Sequence, residues 1–287
     1  AIGSKALYSS TTAHTYIGIG KNALFANTTV YYNIGIGVEA LESWTTGNSN
    51  SAVGAEAASD LTTAYAGTFI GFQAGHSTTT GSKNTVVGYE AFEFNTTGHS
   101  NVALGYRAIQ QSSSGNNNVA IGDEALKDTT SGYQNVAIGT EALSSNTSGF
   151  STVAIGYQTL DLNTTASNNT AVGTNALYSA TTGANHVAVG VNSLDAVTTG
   201  TDNIGIGLNA GGALTTGSYT IAIGTNAVAA ATTELYNIGI GVHALKDEAS
   251  GTRNVAIGHA SLEDSNGGNY NTAVGYGTNR DNTTGDN

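Results

Sequence analysis

The chain has 287 residues and a formal net charge of −12 at neutral pH, although only a tenth of its residues are charged. Eight Lys and Arg give no basic footprint for nucleic acid, and the absence of Cys excludes disulfides and thiolate metal sites. Apolar runs of only a few residues offer no candidate signal peptide or membrane-spanning helix within these residues.

Glycine recurs at every seventeenth position from Gly3 to Gly275, seventeen times without a slipped residue. A fixed short period means a stack of like units, each leaning on its neighbours. Within one period the first element is a strand. The residue before each glycine is always aliphatic, as in Ile121, Ile138 and Ile155, and two places earlier Val or Ile stands in most copies, as in Val119 and Val136. This β-branched alternation predicts a short strand. It ends at a turn glycine such as Gly122, Gly139 or Gly156, whose backbone geometry a Cβ would obstruct.

Four places after the glycine comes a second apolar column, including Leu126 and Leu143. We expect a second strand here, facing the first across a thin core. Thr or Ser pairs such as Thr45-Thr46, Thr96-Thr97 and Thr181-Thr182, with Gly47, Gly98 and Gly183 behind them, then mark a turn. Asn at the strand entrance recurs in register at Asn84, Asn101, Asn118 and Asn135. Such amides form either a hydrogen-bonded ladder along the stack or a row of solvated turn residues.

The middle strand residue must point opposite to its two neighbours. It is Ala at Ala1, Ala52, Ala103, Ala120, Ala137, Ala154, Ala171, Ala188, Ala222, Ala256 and Ala273, and Gly at Gly18, Gly35, Gly205 and Gly239. Only Phe69 and Val86 are larger, and no copy is polar there. With the Val and Ile columns read as core beside Leu126 and Leu143, this alanine column is expected to meet another copy of the chain. The predicted fold is therefore all-β: one continuous parallel β-solenoid (β-roll) over residues 1–287, of seventeen coils about 4.8 Å apart, packed or intertwined as a homotrimeric fibre. Because there is no initiator Met and both ends fall inside repeats, we expect an internal fragment of a longer chain.

Asn271-Thr272-Ala273-Val274-Gly275-Tyr276, Asn169 to Leu177 and Asn95-Thr96-Thr97-Gly98 resemble the NTAVGYxAL…NTTG arrays of bacteriophage tail fibres and related bacterial surface proteins. Those arrays often precede a self-cleaving chaperone-of-endosialidase domain. The Asn-Val-Ala-Ile-Gly core is also similar to the head repeats of YadA-like trimeric adhesins, which form trimers of left-handed parallel β-rolls. The resemblance implies an extracellular structural shaft on a virion or cell surface, with the chain itself as partner. The repeat here is longer than the usual adhesin-head repeat.

No copy carries an insertion that would wall a cleft, so catalysis and a cofactor are not expected. Acidic columns, Asp247/Asp264/Asp281, Glu39/Glu56 and Glu124/Glu141, could face Ca²⁺, but a hydrated ridge is the simpler reading and no metal site is assigned. His243 and His259 fall near one another without a further zinc ligand. Aligned aromatics, Phe72/Tyr89/Tyr106 and Tyr219/Tyr236 with Arg253 beyond, either stack on cell-surface glycans or on each other. The Thr pairs are consecutive, so their side chains diverge and form no regular ice-binding face.

Overall fold

Two β-branched residues flanking a small one favour extended backbone. In the computed structural model of the chain, every such triplet from Ile17 onward lies in a strand. The structure describes residues 1–10, 14–26, 28, 31–265 and 267–281. Among them there is no helix, and so none long and apolar enough to cross a membrane.

The chain divides into two compact units, Ala1–Gly149 and Phe150–Asn287. The first holds β1 (His14–Ile19), β2 (Tyr31–Ile36), β3 (Ser51–Val53), β4 (Thr68–Ile70), β5 (Thr85–Val87), β6 (Val102–Leu104), β7 (Val119–Ile121) and β8 (Val136–Ile138). The second holds β9 (Val153–Ile155), β10 (Thr170–Val172), β11 (Val187–Val189), β12 (Ile204–Ile206), β13 (Ile221–Ile223), β14 (Ile238–Ile240), β15 (Val255–Ile257) and β16 (Thr272–Val274).

Within each unit every strand pairs in parallel with the next in chain order. The register follows the sequence period: Val119 faces Val136, Ala120 faces Ala137 and Ile121 faces Ile138. The first copy contributes only the isolated bridge from Ile2 to Ile19. Each unit is a parallel β-solenoid.

The leucine column lies inside, as expected, with Leu126 and Leu143 at 0% exposure, but it is not a strand. It sits on a tight arc in which two residues per copy have left-handed backbone, Glu124 (φ 54°) and Leu126 (φ 52°) in one copy. Such a conformation costs a non-glycine residue about 1 kcal/mol or more. It also aims successive N–H groups in opposite directions along the stack: Glu124 donates to Tyr106 O at 2.9 Å in the preceding coil, and Leu126 to Ala142 O at 3.0 Å in the following one. The arc thereby gains the inter-coil hydrogen bonds of a strand without being one.

The face assignment of the strand is the reverse of the one expected from sequence. Ala52, Ala103, Ala120, Ala137, Ala154, Ala171, Ala188, Ala222 and Ala256 are all at 0% exposure and Ala273 at 5%, inside their own coils rather than against a sister copy. Val119, Val136 and Ile138 are only half-buried, and Ile121 and Ile155 are 37% exposed, on the outside. The reason is volume. The coil is so narrow that the leucine side chain spans it, and a Cβ added at Gly18 would lie 3.1 Å from Leu7 Cγ, and one at Gly35 3.1 Å from Leu24 Cγ. The strand must turn its small side inward, and alternation then sends Val and Ile out.

Where the strand residue is large, the opposite column shrinks. Phe69 and Val86 follow Ala58 and Gly75 by the same eleven residues that separate Leu7 from Gly18, and a Cβ added at Gly75 would run into the Phe69 ring. The turn glycines Gly122, Gly139 and Gly156 all have positive φ, and at Gly122 (φ 141°) a Cβ would stand 2.5 Å from Gly139 O.

Two tests follow from this packing. Ala137→Phe should destabilise the protein by about 2 kcal/mol through overpacking, and adding Leu126→Ala should recover at least about 1 kcal/mol in a double-mutant cycle read by urea denaturation. Additive losses would show that the two columns do not share the interior. Gly122→Ala should cost about 2 kcal/mol or more, because it combines left-handed strain with a clash against the next coil.

Candidate functional site

With the alanines inside, the outward face of each unit's sheet is built from the two β-branched columns. In the first unit Ile17 is 47% and Ile70 41% exposed; in the second, Val189 and Ile206 are both 38% exposed. Beyond the turn glycine a third column carries Val38, Phe72, Tyr89 and Tyr106, and in the second unit Val191, Leu208 and Val242, but it is polar at Lys21, Asp123, Thr140, Thr174, Thr225 and His259. The only polar residues in the two strand columns are the hydroxyls of Ser51, Thr68, Thr85, Thr170 and Thr272. At roughly 4.8 Å by 12 Å for each coil, eight coils present about 450 Å², already the size of the largest apolar patch on an ordinary monomer.

The aromatic columns pack on themselves. Phe72 and Tyr89 stack with ring centroids 5.2 Å apart, Tyr89 and Tyr106 at 5.7 Å, and Tyr219 and Tyr236 at 5.0 Å. Arg107 lies over the Tyr106 ring at 4.7 Å and is held by Glu90 at 2.7 Å; Arg253 lies over Tyr236 at 5.4 Å. Interior ring faces are therefore already occupied, and only ring edges line these columns.

The asparagines form the ladder, and they are buried. Asn118 Oδ1 accepts the Asn135 backbone N–H at 3.0 Å, while Asn118 Nδ2 donates to the carbonyl of the turn glycine Gly132 at 2.8 Å. Asn84, Asn101, Asn237 and Asn254 make the same pairs. One histidine substitutes for the amide: His186 is 1% exposed, receives the Asn203 N–H at Nδ1 (3.2 Å) and meets Gly200 O through Nε2 at 2.8 Å. These partners require the neutral ring with its proton on Nε2. On the next corner Thr130 Oγ1 donates to Thr147 O, and Thr181 Oγ1 to Thr198 O, so one hydroxyl of each Thr pair is spent inside the stack.

The acidic groups find local partners: Glu124 holds Lys127 at 3.1 Å, Glu56 accepts from Gln73 Nε2 at 2.7 Å, and Asp264 meets Arg280 at 3.3 Å. His243 and His259 do come together, with ring centroids 6.0 Å apart, and His243 Nδ1 lies 3.2 Å from Glu263. The buried carboxylate Glu248 accepts from Gly251 N (2.5 Å), Gly267 N (2.9 Å) and Ser265 Oγ (2.9 Å). Among the described residues no group of three His, Asp or Glu is arranged to hold a metal ion.

The geometry defines a parallel β-solenoid with one apolar sheet face and polar corners. No protein-family model and no curated protein matches the chain.

The outward role of the Val and Ile columns had a signal in the sequence that column-by-column reading passes over. Phe69 and Val86, the two large residues of the middle column, fall where the leucine column drops to Ala58 and Gly75. Compensating volumes mark two columns that share one interior.

Burial holds the pKa of His186 below the ordinary value of 6.5, with Asp202 opposing weakly. Its stabilising contribution is therefore complete above that value and lost as pH falls through the lowered, folded-state pKa. His186→Asn should flatten this part of the acid-unfolding curve without weakening the protein at pH 8; an unchanged acid slope would contradict the ladder role of the ring.

Proposed function

We propose that the chain is a structural fibre shaft of a bacteriophage tail fibre or similar extracellular appendage. In this reading it is a rigid spacer that holds a binding tip away from a virion or cell surface, and its own copies are its partners, three around an axis. The observation that carries the reading is the outward aliphatic face. Each unit presents about 450 Å² of such a face, as much as the largest apolar patch of an ordinary monomer. A closed symmetric assembly covers this face on every copy.

Three further features support the reading. Within each unit the coils bond to their neighbours at the same few offsets, sixteen to eighteen residues, which suits a spacer. No copy has an insertion to form a cleft, so we assign no catalysis and no cofactor. The NTAVGY and NTTG patterns resemble tail-fibre arrays.

Native mass spectrometry should give a trimer at micromolar concentration. The triple variant Val119→Glu, Ile121→Glu, Ile138→Glu should be monomeric with its β-sheet circular dichroism retained, because each carboxylate enters a face that is open in the single chain. A monomeric wild-type chain, or a triple variant that still forms trimers, would overturn the assignment.

A further inference from the structure

Rings that stack in successive coils cover one another's faces, so a flat ligand can enter only where a ring column is interrupted. Two rings outside those stacks lie two coils apart in the first unit, on the corner preceding the asparagine ladder. Tyr65, Ser82 and His99 occupy the same position in three successive coils, and the small Ser82 leaves a notch between two rings. The notch is a cavity of about 330 Å³, lined chiefly by Tyr65, Thr80, Ser82, Lys83, Thr97 and His99. That volume falls within the range of small-molecule sites. Two stacking steps separate the outer positions by roughly 9.6 Å. A ring placed midway lies about 4.8 Å from each, within aromatic contact distance.

The walls are fixed by backbone bonds. Ser82 Oγ accepts the Tyr65 N–H at 3.2 Å, Lys83 N donates to Tyr65 O at 2.9 Å, and His99 N donates to Asn116 Oδ1 at 2.8 Å. Thr80 and Thr97 present exposed hydroxyls at the rim. The charge is unusual for this chain. No carboxylate lines the notch, and the Lys83 ammonium lies over the Tyr65 ring, 5.7 Å from its centre, the partner an acid group would draw away. Among the described residues Lys83 has no salt-bridge partner, in a protein of net charge −12.

We infer that this notch binds an acidic pyranose, a sugar ring bearing a carboxylate or a sulfate. The ring sits between Tyr65 and His99, its hydroxyls meet Thr80 and Thr97, and its acid group pairs with the Lys83 ammonium. This goes beyond the shaft reading and does not rest on it, since the notch lies within one chain and on a polar corner.

The test uses the full chain and four probes in ligand-detected NMR titrations: sialyllactose, lactose sulfate, lactose and sodium sulfate. Both acidic sugars should bind at millimolar concentration or tighter, about fivefold better than lactose. Ser82→Tyr places a third ring between Tyr65 and His99 and fills the notch; it should abolish binding and leave the assembly mass unchanged, with the thermal midpoint lowered only slightly through loss of the Tyr65 N–H bond to Ser82 Oγ. Lys83→Gln should reduce the acidic sugars to the level of lactose. The inference is overturned if none of the sugars binds, if Ser82→Tyr binds as well as the wild type, or if sodium sulfate alone binds as tightly as lactose sulfate. An altered assembly mass bears on the shaft reading, whereas loss of sugar binding bears on the notch.

Discussion

The structure depends on one constraint: most backbone N–H groups must find their partner in a neighbouring coil, sixteen to eighteen residues away. The strands satisfy this by parallel pairing, and the arcs by reversing the hand of the backbone at alternate residues, so that N–H groups aim up and down the stack by turns. A single inserted residue would displace all these partners at once in its coil. The unbroken period of seventeen is the sequence-level trace of that requirement.

Thinness follows from the same constraint. A coil of seventeen residues encloses little space, and one leucine spans it. The interior therefore consists of a large column opposite a small one, with Ala or Gly on the strand and Leu on the arc, except where Phe69 and Val86 exchange roles with Ala58 and Gly75. The remaining interior is polar. Buried amides carry the corner, each bonded to the next coil's backbone, and His186 can enter this ladder because its neutral ring offers one acceptor and one donor at nearly the amide's spacing. A buried polar row of this kind holds because its amides are paired, and Thr220, whose buried Oγ1 has no partner among the described residues, is a weak rung in the same column.

With the interior so narrow, the Val and Ile columns on either side of the middle strand residue have nowhere to go but outward. The chain consequently exposes, on its aliphatic sheet face, residues that an ordinary globular domain would bury. On the corners, by contrast, the side chains that repeat from coil to coil consume one another. Rings stack on rings and threonine hydroxyls bond to carbonyls.

The sequence alone determined the period, the strand triplets, the turn glycines and the all-β solenoid class, because these rest on local geometry and on repetition. Aligned amides such as Asn118 and Asn135 could also be read directly, though not whether water or backbone would bond them. Which side of the strand faces inward could be decided only in three dimensions. Ala120 and its neighbours Val119 and Ile121 alternate in either orientation, and hydrophobicity alone favours burying the larger pair. The arc across the coil set the outcome: Leu126 fills the width of the interior, so only a methyl group fits opposite it and the β-branched side chains are turned to the outside.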